Sequence, residues 1–141
     1  MSLIPPGTID HIGIAVRDLD LARTTYESVL GAELSVCEIV EEQGVKVAFM
    51  TLPGDTRVEL IAPMDGDGAV ARFLDTHGEG MHHICITVED IKETLAVLEE
   101  AEVPLVDKSP RRGAEGSQIA FVHPAKLGGV LLELKQKADT D

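Results

Sequence analysis

The pattern of apolar and polar residues predicts one succession of elements in the first half of the chain. Residues 9–16 are mostly apolar or β-branched and favour a strand. Asp18 precedes an apolar stripe at helical spacing that ends at Gly31, which predicts a capped helix. Its predicted buried stripe is Leu19, Ala22, Tyr26 and Val29. Three strands are predicted to follow, at 34–40, 45–52 and 56–62.

The second half repeats this order after a short predicted helix over 69–77. A predicted strand at 82–88 leads to a helix that Asp90 caps. The predicted buried stripe of this helix is Ile91, Leu95, Leu98 and Ala101. The remaining strands are predicted at 105–107, 117–123 and 129–135.

The repeat is also visible in the residues themselves. The segment 10–16 (DHIGIAV) resembles 82–88 (HHICITV) at an offset of 72 residues, and 47–49 (VAF) matches 119–121 (IAF) at the same offset. Near the end of each half, 58–60 (VEL) matches 132–134 (LEL). We therefore expect an α+β fold of two pseudo-symmetric βαβββ modules, whose strands form one half-open mixed β-sheet cup.

The length of 141 residues fits one domain. We expect that domain to span 8–136, with modules at 8–64 and 80–136 and a short helical connection at 65–79. The segments 1–7 and 137–141 are predicted to be flexible termini.

Composition excludes several classes of function. The formal net charge of −13 disfavours a nucleic-acid-binding protein, which normally carries a basic face. No apolar run approaches the roughly 20 residues that a membrane span needs, and no signal-peptide pattern opens the chain. Two cysteines are too few for a disulfide framework, so we expect a reduced, cytoplasmic protein.

The repeat places candidate metal ligands at equivalent positions. His11 and His83 lie on the first strand of each module, and Glu59 and Glu133 lie on the last. A single histidine or glutamate on a strand is more often an ordinary core or surface residue, but here each occurs twice in the same place. Two imidazoles and two carboxylates suit a divalent transition metal and leave positions open for a bidentate ligand.

These features resemble the vicinal oxygen chelate superfamily and, within it, the methylmalonyl-CoA epimerases. The resemblance covers roughly residues 8–136, and its carrying segments are 9–12, 42–49, 58–63, 80–84, 116–124 and 129–134. The His82-His83 pair and the stretch 121–124 (FVHP) are the more specific signals, because the related glyoxalases tend to have an Asp-Pro turn where this chain has His123-Pro124.

The resemblance implies a site and a reaction. It implies that His11, Glu59, His83 and Glu133 bind one divalent ion, with Co²⁺ as the first choice and Zn²⁺, Ni²⁺ or Mn²⁺ as alternatives. The implied reaction is epimerisation of methylmalonyl-CoA at C2, by proton abstraction and a metal-stabilised enediolate, in a homodimer. Glu133 is the implied base, and we assign Glu59 to the opposite face by pseudo-symmetry. Some family members carry a second catalytic carboxylate at the position of Val47, which is apolar here.

A basic loop is the candidate contact for the CoA thioester substrate. Lys108, Arg111 and Arg112 form the densest basic cluster of the chain, close to Gly116 and Ser117. We expect Arg111, Arg112, Gly116 and Ser117 to bind substrate, although a solvated surface loop would have the same composition.

Two other functions use the same fold. One is a glyoxalase I-type lyase that acts on a glutathione hemithioacetal with a similar His/Glu ligand set. The other is a metal-free protein that binds a small molecule. The four candidate ligands argue against the metal-free protein, and the local motifs favour the epimerase over the lyase.

Overall fold

The computed structural model describes residues 2–139. These residues divide into two compact units. We call residues 11–82 the first module, and residues 2–10 together with 83–139 the second module. Met1, Thr140 and Asp141, which belong to the predicted flexible termini, lie outside the described residues, and the predicted domain boundaries stay a prediction.

The elements follow the predicted order. The helices are α1 Leu19–Leu30, α2 Ala69–His77 and α3 Ile91–Glu100. The strands are β1 Ile9–Ala15, β2 Glu33–Val40, β3 Val45–Leu52, β4 Thr56–Pro63, β5 Gly80–Thr87, β6 Arg111–Arg112, β7 Gln118–Val122 and β8 Leu132–Gln136.

In the first module, β1 pairs parallel with β4, β4 antiparallel with β3, and β3 antiparallel with β2. Helix α1 begins where the Asp18 carboxylate accepts a hydrogen bond from the Leu21 amide at 3.0 Å, and it ends at Gly31 with φ +68°. One face of these strands packs against α1. The buried residues of this core are Val16, Ala32, Ala48, Met50, Val58, Leu60 and Ala62.

The second module repeats this arrangement. Strand β5 pairs parallel with β8, β8 antiparallel with β7, and β7 antiparallel with β6. Asp90 caps α3 by accepting a hydrogen bond from the Glu93 amide at 3.1 Å. The buried core between α3 and the strands consists of Ile91, Leu95, Leu98, Ala120, Val122 and Leu134.

Three details of the sequence-based prediction are wrong. The segment 105–107 is not a strand: Leu105 makes a single bridge to Val122, and the outermost strand of this module is β6. The reason is that the Asp107 carboxylate accepts the Phe121 amide at 2.9 Å, so a side chain takes the place of a backbone acceptor. Val29 and Ala101 are exposed, because each lies at the last turn or end of its helix.

No helix in the described part of the chain is both long enough and apolar enough to cross a membrane.

Candidate functional site

In the first module, the strand register places a histidine and a glutamate on one face. Gly13 of β1 lies opposite Glu59 of β4, and His11 precedes Gly13 by two residues, so both side chains project to the same side. The His11 Nε2 and Glu59 Oε1 atoms are 3.6 Å apart, and both side chains are buried. This face is opposite to the one that packs on α1, where Leu60 lies.

The second module builds the same pair from equivalent strands. Cys85 of β5 lies opposite Glu133 of β8, and His83 precedes Cys85 by two residues. The His83 Nε2 and Glu133 Oε1 atoms are 3.2 Å apart, and both side chains are again buried. Cys85 is fully buried. The two modules therefore share one local geometry as well as one sequence pattern.

The donor set of each pair fits a divalent metal ion. Two ligand atoms that each lie about 2.1 Å from an ion and subtend a right angle are about 3.0 Å apart. The observed separations of 3.2 and 3.6 Å are close to this value. Buried imidazole and carboxylate groups carry a large desolvation cost that coordination offsets, and a nitrogen–oxygen set suits first-row transition metals.

A phenylalanine supports each histidine ring. Phe49 lies opposite Glu59, and Phe121 lies opposite Glu133, in the antiparallel registers. The Phe49 ring meets the His11 ring edge to face with centroids 5.2 Å apart, and the Phe121 ring meets His83 in the same way at 5.8 Å. Such contacts restrict the orientation of the imidazole. Both phenylalanines belong to the sequence repeat, but the sequence alone did not indicate that they contact the histidines.

His82 lies against a helix of the first module. Its ring contacts Phe73 of α2 edge to face, with centroids 4.9 Å apart. His82 directly precedes His83 on β5, so the two side chains project to opposite sides, and the His82 residue is half-buried.

The predicted substrate arginines project to different faces. Arg111 lies opposite Ile119, which is buried, whereas Arg112 lies opposite the exposed Gln118. Directly opposite residues in an antiparallel pair share a face, so Arg111 shares the face of Phe121 and Glu133, and Arg112 does not. The Arg111 Nε atom is 3.3 Å from the Asp107 carboxylate.

The loop after Arg112 has a tightly defined backbone. The buried Ser117 hydroxyl donates a hydrogen bond to the Ala114 carbonyl at 2.7 Å, and Gly116 adopts φ +69°. A Cβ atom at Gly113 would lie 2.6 Å from the Ile119 side chain, so only glycine fits there. The substrate-binding roles of Gly116 and Ser117 stay predictions.

Two further charged groups were not foreseen from the sequence. The Arg57 guanidinium lies 4.1 Å above the centre of the Phe49 ring. The Lys135 side chain is buried and contacts the Asp10 carboxylate at 3.1 Å. Lys135 lies on β8 two residues after Glu133, and nothing in the local sequence pattern indicates its buried partner.

Comparisons with known proteins agree with this geometry. Residues 10–121 match the model of the glyoxalase/bleomycin resistance protein/dioxygenase superfamily. The chain is 40% identical over 131 residues to mitochondrial methylmalonyl-CoA epimerase of Bos taurus, covering 92% of this chain and 74% of that protein. It is 39% identical over 132 residues to ethylmalonyl-CoA/methylmalonyl-CoA epimerase of Cereibacter sphaeroides, covering 92% of this chain and 98% of that protein.

The fold is also that of a solved relative. A variant of Streptomyces coelicolor methylmalonyl-CoA epimerase in complex with 2-nitronate-propionyl-CoA superposes with a TM-score of 0.90 at 37% identity, covering 97% of this chain and 99% of that one. The predicted fold class is thereby confirmed. The chain belongs to the glyoxalase/bleomycin resistance protein/dioxygenase superfamily and, within it, to the methylmalonyl-CoA epimerase family.

Proposed function

We propose that the protein epimerises methylmalonyl-CoA at C2 with the help of one divalent metal ion. The observation that carries the proposal is the duplicated buried pair, His11 with Glu59 and His83 with Glu133. In this proposal both pairs bind the same ion. The relatives that bear the name of this activity support the choice of substrate.

The proposed reaction needs two things from the protein: stabilisation of a developing negative charge, and side chains that accept and return a proton. The C2 proton of the substrate lies between a thioester and a carboxylate and is therefore acidic. A bound divalent ion supplies a Lewis acid that stabilises the negative charge on the substrate oxygens as that proton leaves. Glu133, held on β8 against His83, accepts the proton from one face, and Glu59 of the first module returns one to the other face.

The register also points to a second candidate for the opposite face. Val47, whose position carries a carboxylate in some relatives, is almost fully buried here. Glu38 of β2 lies directly opposite Val47, so its half-buried side chain projects to the face that carries Glu59. Glu38 therefore becomes the acid/base to test if Glu59 acts only as a ligand.

The remaining parts of the proposal concern the ion, the thioester and the assembly. We take Co²⁺ as the first candidate, with Zn²⁺, Ni²⁺ and Mn²⁺ as alternatives, and elemental analysis of the purified protein decides among them. Arg111 is the cation that would contact the CoA portion on the site side of its strand. Arg112, Gly116 and Ser117 complete the proposed contact loop. We also propose a cytoplasmic homodimer, which light scattering tests for its oligomeric state.

The test follows deuterium from D2O into C2 of one stereoisomer of methylmalonyl-CoA. A mechanism with two bases delivers a solvent deuteron with each inversion. Early product is then almost fully labelled, whereas unreacted substrate stays mostly unlabelled. A single mobile base would return some of the original proton to the product.

Two variants separate the roles of the carboxylates. Glu133→Gln should suppress exchange by at least about 100-fold, because it removes the base but keeps an oxygen near His83. Glu59→Gln should retain the metal, and exchange without inversion would identify Glu59 as the second base. If inversion also survives, Glu59 is only a ligand and Glu38→Gln is measured next. A metal-loaded protein that leaves methylmalonyl-CoA unchanged but isomerises a glutathione hemithioacetal would contradict the proposal and favour the lyase.

A further inference from the structure

The second module contains a buried lysine between two carboxylates. The Lys135 side chain is 4% exposed, and its Nζ atom lies 3.1 Å from Asp10 Oδ2 and 3.3 Å from Glu115 Oε1. The Asp10 side chain is equally buried, whereas that of Glu115 is 31% exposed. Lysine is almost never fully buried unless it is paired, so this cluster holds Lys135 in place.

Lys135 lies on the face of the second module that carries the candidate ligand. It follows Glu133 by two residues on β8, so the two side chains project to the same side. The register continues this face across the strands, because Lys135 lies opposite Ile119, and Ile119 lies opposite Arg111. Leu134, between Glu133 and Lys135, faces the α3 core instead.

The partner of Lys135 in the loop has an unusual backbone conformation. Glu115 has φ +59° and ψ 30°, in the left-handed region that favours glycine, and Gly116 follows with φ +69°. A non-glycine residue in this region is strained, so the surrounding contacts must hold it there. The ion pair with Lys135 is one such contact, and it joins the loop after Arg112 to the strand that carries Glu133.

We propose that Lys135 is a positioning residue that fixes the 113–117 loop in the conformation that binds the CoA thioester. The inference rests on the proposed function for the identity of the ligand. Through Glu115, Lys135 sets the backbone of a loop that begins directly after Arg111 and Arg112. Through Asp10, the residue before His11, the same ammonium group is held at the start of β1. The loop and the strand that carries Glu133 thus share one buried cation.

Glu115→Gln is the primary test, because it removes the charge of the more exposed partner and leaves the buried Lys135–Asp10 pair intact. The matched control is Glu102→Gln. Glu102 is also an exposed glutamate with a left-handed backbone, at φ +62°, but it lies in the turn after α3. The measurements are amide hydrogen exchange of peptides spanning 113–118 and steady-state kinetics with methylmalonyl-CoA.

We expect Glu115→Gln to raise both the exchange rate of the loop amides and the KM by about 5-fold, with kcat changed by less than about 2-fold. Glu115→Lys places two cations together and should raise both quantities further. Glu102→Gln should match the wild type in both measurements.

A second pair of variants tests the lysine itself. Lys135→Met should increase loop exchange more than Glu115→Gln, because it also leaves the Asp10 carboxylate buried without its close cation. Lys137→Met is its control, since Lys137 lies 3.9 Å from Asp10 but its side chain is 68% exposed. If Lys135→Met fails to fold, Glu115→Gln and Glu115→Lys still decide the question.

Two results would overturn the inference. One is loop exchange in Glu115→Gln equal to that in Glu102→Gln. The other is faster exchange of the loop with an unchanged KM. A wild-type protein that does not act on methylmalonyl-CoA would contradict the proposed function instead, and the exchange comparison would then decide alone whether Lys135 holds the loop.

Discussion

The two modules share their histidine, glutamate and phenylalanine but differ in the row of residues beside them. In the first module this row is Glu38, Val47 and Ile61, and in the second it is Arg111, Ile119 and Lys135. The row lies two residues along the strands from the glutamate, on the same face. The shared histidine and glutamate suit a metal ion. The rows differ in charge, because the first contains Glu38 and the second contains Arg111 and Lys135. In the proposed function, the anionic CoA portion of the substrate would therefore bind on the side of the second module.

The outermost strands of the two modules also differ, in length and in pairing. Strand β2 has eight residues and pairs with β3 along nearly its whole length, whereas β6 has two residues. Before β6 the chain is anchored by the Asp107 carboxylate rather than by a continuous ladder. The first module therefore ends in a regular edge strand, whereas in the second module a side-chain hydrogen bond anchors the chain just before Arg111.

The largest effect is expected from removing either of the histidines that the two modules share. His11→Ala and His83→Ala should each weaken metal binding by about 100-fold or more, since loss of a residue that only supports a ligand already costs 10–100-fold. His82→Ala is the control, because its ring lies against Phe73 of α2. Metal content after dialysis at fixed free metal, with circular dichroism to verify folding, measures the effect. Equal metal loss from His82→Ala and His83→Ala would show that the wrong histidine was chosen.

The sequence predicted most of this shared geometry because it depends on local rules. Asp18 and Asp90 cap their helices as predicted, and the spacing of two between His11 and Gly13 sets the face of the strand. A single histidine or glutamate on a strand is weak evidence for a site, and the repeat strengthened it because each occurs at the equivalent position of both halves. The predictions failed where a side chain replaced a backbone interaction, as at Asp107, or where a helix end left an apolar residue exposed, as at Val29.

A smaller effect is expected from the residues that distinguish the modules. Arg111→Ala should raise KM for methylmalonyl-CoA by about 10-fold with little change in kcat, because Arg111 shares the face of Glu133. Added salt should weaken the wild-type interaction in the same way, since an exposed cation–phosphate contact is screened. Arg112→Ala, which removes the same charge from the opposite face, is the matched comparison and should raise the KM less than Arg111→Ala does. A larger KM for Arg112→Ala than for Arg111→Ala would contradict the assignment of faces.

Composition alone could not separate these two arginines. Adjacent residues on a strand always face opposite sides, but which one faces the site depends on the register with β7. That register depends on the 113–117 loop, whose left-handed residues at 115 and 116 are set by packing and by Lys135. The partners of Lys135 lie 20 and 125 residues away in the sequence, and no local pattern connects them.

The smallest effect is expected from a substitution that gives the first module the residue found at the equivalent position of the second. Arg57 stacks on Phe49 in the first module, and the equivalent position of the second module, two residues before Glu133, is Leu131. Arg57→Leu removes the cation–π contact but keeps an aliphatic side chain, so the free energy of unfolding should fall by about 0.5–1 kcal/mol. Arg23→Leu is the control, because it removes the same charge from a solvent-exposed pair with Glu27 on α1 and should cost less than about 0.5 kcal/mol. Urea unfolding measures both. Metal affinity should not change, because the Phe49 ring still contacts the His11 ring. If Arg57→Leu lowers metal affinity as much as it lowers stability, the stacked arginine orients the imidazole through Phe49, and the two modules hold their histidines by different means.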